Sequence, residues 1–81
     1  MNKTSENLGL MREVEITKEP VELYKILKFE GMVNSGGQAK SVIDEGLVLL
    51  NGKVETQKRK KIVSGDIISL WDDTIQVRLV N

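Results

Sequence analysis

From Leu23 to Asp66 the chain carries so many turn and cap signals that few folds can satisfy them all. Leu23, Ile26 and Leu27 fall at i, i+3 and i+4, which defines one apolar face of a short helix. Gly31 follows as a left-handed cap. Ser35, with Gln38 three residues later, fits the capping box that opens a second helix. Ala39, Val42 and Ile43 supply its apolar face, Lys40 and Asp44 are spaced to pair on another face, and Gly46 closes it. Leu47–Leu50 and Lys53–Thr56 then flank Asn51-Gly52. Asn-Gly between two strand-like runs signals a tight hairpin, because a type I′ turn needs positive φ at both central residues. Four consecutive cations, Lys58, Arg59, Lys60 and Lys61, and a Gly65-Asp66 turn complete the run.

The flanks extend this pattern. Met11–Ile16 alternates, with Val14 and Ile16 apolar between Glu13 and Glu15, as a half-buried strand does. Pro20 suits the first turn of the first helix, where its missing N–H costs nothing. Ile67–Trp71 and Thr74–Val80 read as two strands joined by Asp72-Asp73, the last with Ile75, Val77 and Leu79 inward and Gln76 and Arg78 outward. The order strand, helix, helix, hairpin, hairpin predicts an α+β fold: two short helices packed on a small, mostly antiparallel sheet. We expect one domain over residues 12–81, preceded by an extension over 1–11.

With 81 residues there is room for one modest core. The chain has no Cys and no His, so it offers no disulfide, no thiolate site and none of the commonest general base or metal ligand. No apolar run approaches the roughly 18 residues of a membrane span, and the first residues lack the apolar stretch of a signal peptide. These absences lead us to expect a cytoplasmic protein with no cofactor, metal or small-molecule substrate.

Net charge is zero, but it is unevenly spread. Residues 1–33 carry a net −1, residues 34–65 a net +3 and residues 66–81 a net −2. A local field of this kind, rather than the total charge, steers a polyanion. Two features of the basic middle are chemically suggestive. Ser35, Gly36, Gly37 and Gln38 stand at a helix start, where bare N–H groups face an anion and glycines let a phosphate approach; Lys40 lies one turn in. Lys58, Arg59, Lys60 and Lys61 repel one another, and a polyanion would relieve that repulsion. Alternate side chains of an extended segment point oppositely, so the four cannot contact one surface equally. Lys53, just past the hairpin turn, is a further candidate. Each feature also has a plain structural explanation: a permissive turn, a solvated loop and an ordinary surface lysine. The three aromatics, Tyr24, Phe29 and Trp71, are scattered, which suits core or edge packing better than a base-stacking platform.

The same residues resemble the RNA-binding domain of the ribosomal protein S-four type, the αL-motif domain. The resemblance rests on Leu23 and Leu27, Gly31, Ser35, Ala39, Gly46, Val48 and Leu50, Asn51-Gly52 and Gly65-Asp66 in that order and spacing. The stretches SGGQAK and ET-KR-KIV are most similar to the small stand-alone bacterial YbcJ-like branch. The resemblance implies a non-catalytic cytoplasmic module that recognises structured RNA, ribosomal or transfer, alone or on a ribosome or ribonucleoprotein. It also marks two departures. Many members place Arg just after the Ser of the second helix, where this chain has Gly36. Many place a basic residue at the start of the first helix, where this chain has Val21 and Glu22.

Two other functional classes compete with RNA binding. An enzyme would have to use Asp44-Glu45, Asp66 or Asp72-Asp73, all at helix ends or turns that favour acids for structural reasons. A protein-interaction adaptor would use the basic loop or the sheet edge. One apolar feature is also unassigned: if Val48 and Leu50 point inward, Leu47 and Leu49 point out. We expect the N-terminal extension, with Leu8, Leu10 and Met11, to fold back over these two leucines as a small second core; a dimer through the same leucines is the alternative.

Overall fold

A computed structural model describes residues 11–80. Two sheets and two helices share one core. The main sheet holds β1 (Arg12–Ile16), β3 (Val48–Leu50), β4 (Lys53–Val54), β6 (Ile67–Leu70) and β7 (Asp73–Leu79), in the spatial order β1-β7-β6-β3-β4. All its pairings are antiparallel except β1 with β7, which run parallel with Val14 beside Val77. Helices α1 (Leu23–Phe29) and α2 (Gly36–Asp44) bury the expected residues: Leu23, Ile26 and Leu27 from the first, Ala39, Val42 and Ile43 from the second. They pack with Val14, Val48, Ile68, Leu70, Ile75 and Val77 from one face of the sheet. An isolated helix of seven residues is not stable in water, so this burial is what holds α1.

Both helices end in the same way. Gly31 and Gly46 have φ of 70° and 78°. At α1 the Gly31 N–H donates to the Lys28 carbonyl and the Met32 N–H to that of Leu27; at α2 Gly46 donates to Ile43 and Leu47 to Val42. This is the paired hydrogen bonding of a Schellman motif, which satisfies the last carbonyls and turns the chain sharply. The Asn51-Gly52 turn has positive φ at both residues, 53° and 86°, as a type I′ hairpin requires. The Asn51 side chain also accepts from the Ile67 N–H at 2.8 Å and donates to Asp66 at 3.1 Å. The hairpin tip and the Gly65-Asp66 turn are thus tied together.

Four local expectations are corrected. Pro20 is not in the first turn of α1, because Val21 and Glu22 form a short strand, β2 (Val21–Glu22), and the helix begins only at Leu23. That strand pairs antiparallel with β5 (Lys61–Ile62), so Lys61 is in a strand and not in a loop. The last hairpin turns at Trp71-Asp72, since Asp73 already pairs with Leu70 and Trp71 takes the positive φ, 53°. Lys40 and Asp44 do not pair: Lys40 lies over the Tyr24 ring and Asp44 meets Lys58.

At the chain's entry, Arg12 holds β1 against its neighbours, donating to Asp73 at 3.0 Å and to the Glu30 carbonyl at 3.2 Å. The hydrogen bond to Asp73, helped by the charges of Asp73 and Glu30, raises the Arg12 pKa above its ordinary value despite the opposing effect of burial. Val48 is fully buried, Leu50 packs at the core's edge, and Leu47 is exposed. The expected cover over Leu47 and Leu49 lies, apart from Met11, outside the described residues.

Candidate nucleic-acid interface

The basic segment takes its shape from the first helix. The first N–H groups of a helix have no acceptor within it. Here the Leu23 N–H donates to the Lys60 carbonyl at 2.9 Å and the Tyr24 N–H to the Lys58 carbonyl at 3.1 Å. The backbone of the segment therefore caps α1. Its carbonyls face the helix, and the Lys58, Arg59 and Lys61 side chains lie exposed while Lys60 is half-buried. A rigid cap, rather than a free loop, presents these charges.

The second helix opens with its capping oxygens already engaged. Ser35 Oγ accepts from the Gln38 N–H at 3.0 Å, and Gln38 Oε1 accepts from the Asn34 N–H at 2.7 Å, one residue earlier than in the usual box. The amides of Gly36 and Gly37 have no acceptor among the described residues. Neither glycine is required by backbone conformation, since neither has positive φ. Nor does packing require them. A β-carbon at Gly36 would come no closer than 3.9 Å to Lys28, and one at Gly37 no closer than 3.8 Å to Ser35, which are ordinary contacts. Two unpaired N–H groups thus stand at the positive end of a helix dipole, on residues that carry no side chain.

Packing brings three parts of the chain onto one face. At one end, the Lys28 stem runs beside Gly36. In the middle, the Lys40 ammonium lies 4.8 Å from the centre of the Tyr24 ring, close enough for a cation–π contact. At the other end, Lys58 stands 3.6 Å from Asp44. Both members of that pair are well exposed, and such a pair is worth only about 0–1 kcal/mol. Gly36, Lys40 and Asp44 are four apart on α2, so they share one stripe of it, and Lys28, Tyr24 and Lys58 flank that stripe. The other cations divide from them: Lys53, Lys60 and Lys61 line a shallow depression that the carboxylates Glu55 and Asp66 also line, and Arg59 is exposed on the connecting turn.

Two residues of this face are not marked as part of it by the sequence, which assigns Tyr24 only to core or edge packing. Tyr24 is partly buried under Lys40, and Lys28 stands beside the position where many αL-motif domains carry an Arg that this chain replaces with Gly36. Tyr24 and Lys28 are four apart, so they share one side of α1; only the packing of α1 on α2 sets that side against Gly36 and Lys40. Phe29 and Trp71, expected as core or edge packing, are instead exposed. Among the described residues no cluster of three acids could hold a metal.

Known proteins share this architecture. The S4 domain family matches residues 14–78. YbcJ of Escherichia coli is 47% identical over 68 residues, which are 83% of this chain and 97% of YbcJ. The Bacillus subtilis "Probable ribosome maturation protein RlbA" is 30% identical over 57 residues, covering 70% of this chain and 80% of that protein. The solution structure of YbcJ, described as revealing an αL motif involved in RNA binding, superimposes with a TM-score of 0.68 at 41% identity over 95% of this chain and 99% of the other. The family match over most of the chain and the identity to YbcJ place the chain in the S4 domain family.

Proposed function

We propose that this protein is a non-catalytic cytoplasmic module that binds structured RNA, ribosomal or transfer, through phosphate contacts. The observation that carries the reading is the line of Lys28, Lys40 and Lys58 along α2, which starts at the unpaired amides of Gly36 and Gly37. Phosphate oxygens would accept from the two amides, and the lysines would supply point charges around them. Lys53, Arg59, Lys60 and Lys61 would extend the contact along a second phosphate run. Ser35 and Gln38 would fix the helix start through their oxygens, while the Ser35 hydroxyl and the Gln38 side-chain amide N–H groups would donate to the phosphate.

With one partly buried aromatic at the face, recognition by shape and backbone is favoured over stacking of splayed bases. The relatedness to YbcJ, whose αL motif is described as involved in RNA binding, supports RNA as the ligand. The ribosome-maturation name of the Bacillus relative supports a ribosomal RNA or a ribonucleoprotein as its setting. Among the described residues no helix is long and apolar enough to cross a membrane.

The test is a binding titration by fluorescence anisotropy with a folded RNA hairpin at several salt concentrations. We expect micromolar-scale affinity and a log K that falls with log salt by roughly 0.7–0.9 per phosphate contacted. Lys40→Ala with Lys58→Ala should lower the slope by about 1.4–1.8, two contacts' worth. A wild-type slope near zero would contradict the reading.

A further inference from the structure

Among the described residues, β1 is an outer strand of the main sheet, with β7 on one side and no strand on the other. One hydrogen bond shows which backbone groups are left free. Ile16 accepts from the Val80 N–H at 2.8 Å, so Arg12, Val14 and Ile16 turn their N–H and C=O groups toward β7. These groups alternate sides along a strand, so those of Glu13, Glu15 and Thr17 point to the open side. Such a row is a template for another extended chain. The open side borders a groove of about 680 Å³ between β1 and α1, within the size range of ligand clefts. The buried Val14 and Ile26 form its floor, and Ile16, Val21 and Phe29 line its sides. Phe29 is 66% exposed, so its ring contributes little to the core and is available to a partner.

We propose that this edge takes an extended segment of a partner protein as a sixth strand, its side chains alternately apolar and basic. An extended chain supplies the matching donors and acceptors for Glu13, Glu15 and Thr17, as in strand addition generally. Its inward side chains would meet Ile16, Ile26 and Phe29 in the groove. Its outward side chains would lie beside Glu13 and Glu15, on the sheet face away from the helices. Those two carboxylates share one cation, Arg78, at 3.1 Å each, which leaves a surplus negative charge along the edge. The groove has as many carboxylates as ammonium groups in its lining, so it adds no opposing charge. A basic residue on the outer face is therefore favoured. The same carboxylates disfavour a second copy of the chain. Pairing two β1 strands antiparallel about Val14 would set Glu13 against Glu15 twice, and like charges directly opposite are destabilising.

The test follows amide shifts and hydrogen exchange in the isotope-labelled full-length protein. The probe is an end-capped peptide of alternating lysine and valine, added to millimolar concentration. In the free protein the Glu13, Glu15 and Thr17 amides should exchange about tenfold or more faster than those of Val14 and Ile16. The peptide should slow those three about tenfold and shift Ile26 and Phe29. N-methylation of alternate peptide residues removes the donors that face β1 and should weaken binding about tenfold. Glutamate in place of lysine should weaken it about threefold or more. Phe29→Ala, at an exposed position, should also weaken it several-fold with the fold retained by thermal unfolding. The proposal is overturned if the three amides do not respond to the peptide, or if the N-methylated peptide binds as well as the parent. Protection of the three amides in the free protein overturns it too, because the edge is then already occupied. So does a folded RNA hairpin that moves the same amides, since the edge then belongs to nucleic acid.

Discussion

Gly46 and Gly36 are ten residues apart, and the structure uses their lack of a side chain for opposite ends. Gly46 holds φ at 78°, where a β-carbon crowds the following carbonyl oxygen. Its nearest neighbour would be Val54 at 3.7 Å, so the cost of Gly46→Ala is conformational, not steric. We predict that this substitution lowers the unfolding free energy by about 1–2 kcal/mol in a urea titration. Gly36 has ordinary helical backbone and room for a methyl group. Gly36→Ala should leave stability unchanged or slightly raised, yet weaken RNA binding several-fold by crowding the open amides. A Gly36→Ala protein that is destabilised would give that glycine a structural role instead.

Glycines such as Gly31 and Gly46 were legible in the sequence because a left-handed cap is a local requirement. Tyr24 and Lys28 were not, since their place beside Lys40 and Gly36 depends on how one helix packs on another, which no spacing within α1 encodes.

At the scale of elements, the basic segment and α1 depend on each other through backbone rather than side chains. The Lys58 and Lys60 carbonyls would remain in place if neighbouring side chains were removed. We therefore predict that Arg59→Ala with Lys61→Ala changes stability by under about 0.5 kcal/mol while flattening the salt dependence of RNA binding. Thermal unfolding together with the anisotropy titration reads both effects, and an unfolded double variant would make the charges structural. In contrast, Leu27 is fully buried and anchors a helix too short to stand alone. Leu27→Ala should cost about 2–5 kcal/mol by urea denaturation, a large share of what a domain this size has.

The long-range pairing of the segment explains why its sequence resembles a loop. Strands β2 and β5 have two residues each, below the length at which alternation is detectable, and Pro20 just ahead of β2 mimicked a helix start. The α1 and α2 patterns and the Asn-Gly hairpin, by comparison, carried their own boundaries.

The whole molecule is divided by its main sheet. The helices and the basic segment form one side, with the unpaired amides of Gly36 and Gly37 at one end of α2, Lys40 midway and Lys58 at the other end. The other side has an ion-paired edge around Arg78 and an apolar strip around Trp71. The parallel seating of β1 on β7 adds an edge strand to the sheet; sequence alternation identifies β1 but cannot give its partner or direction. This division yields a map that one experiment can read. Titrating a folded RNA hairpin into isotope-labelled protein and following amide shifts should move Gly36, Gly37, Tyr24, Lys40 and Lys58 most, with smaller changes at Lys53 and Lys60. The amides of Leu49, Ser69 and Thr74 on the opposite side should stay in place. Shifts concentrated on that opposite side, or no response at Gly36 and Gly37 at saturating RNA, would contradict the account.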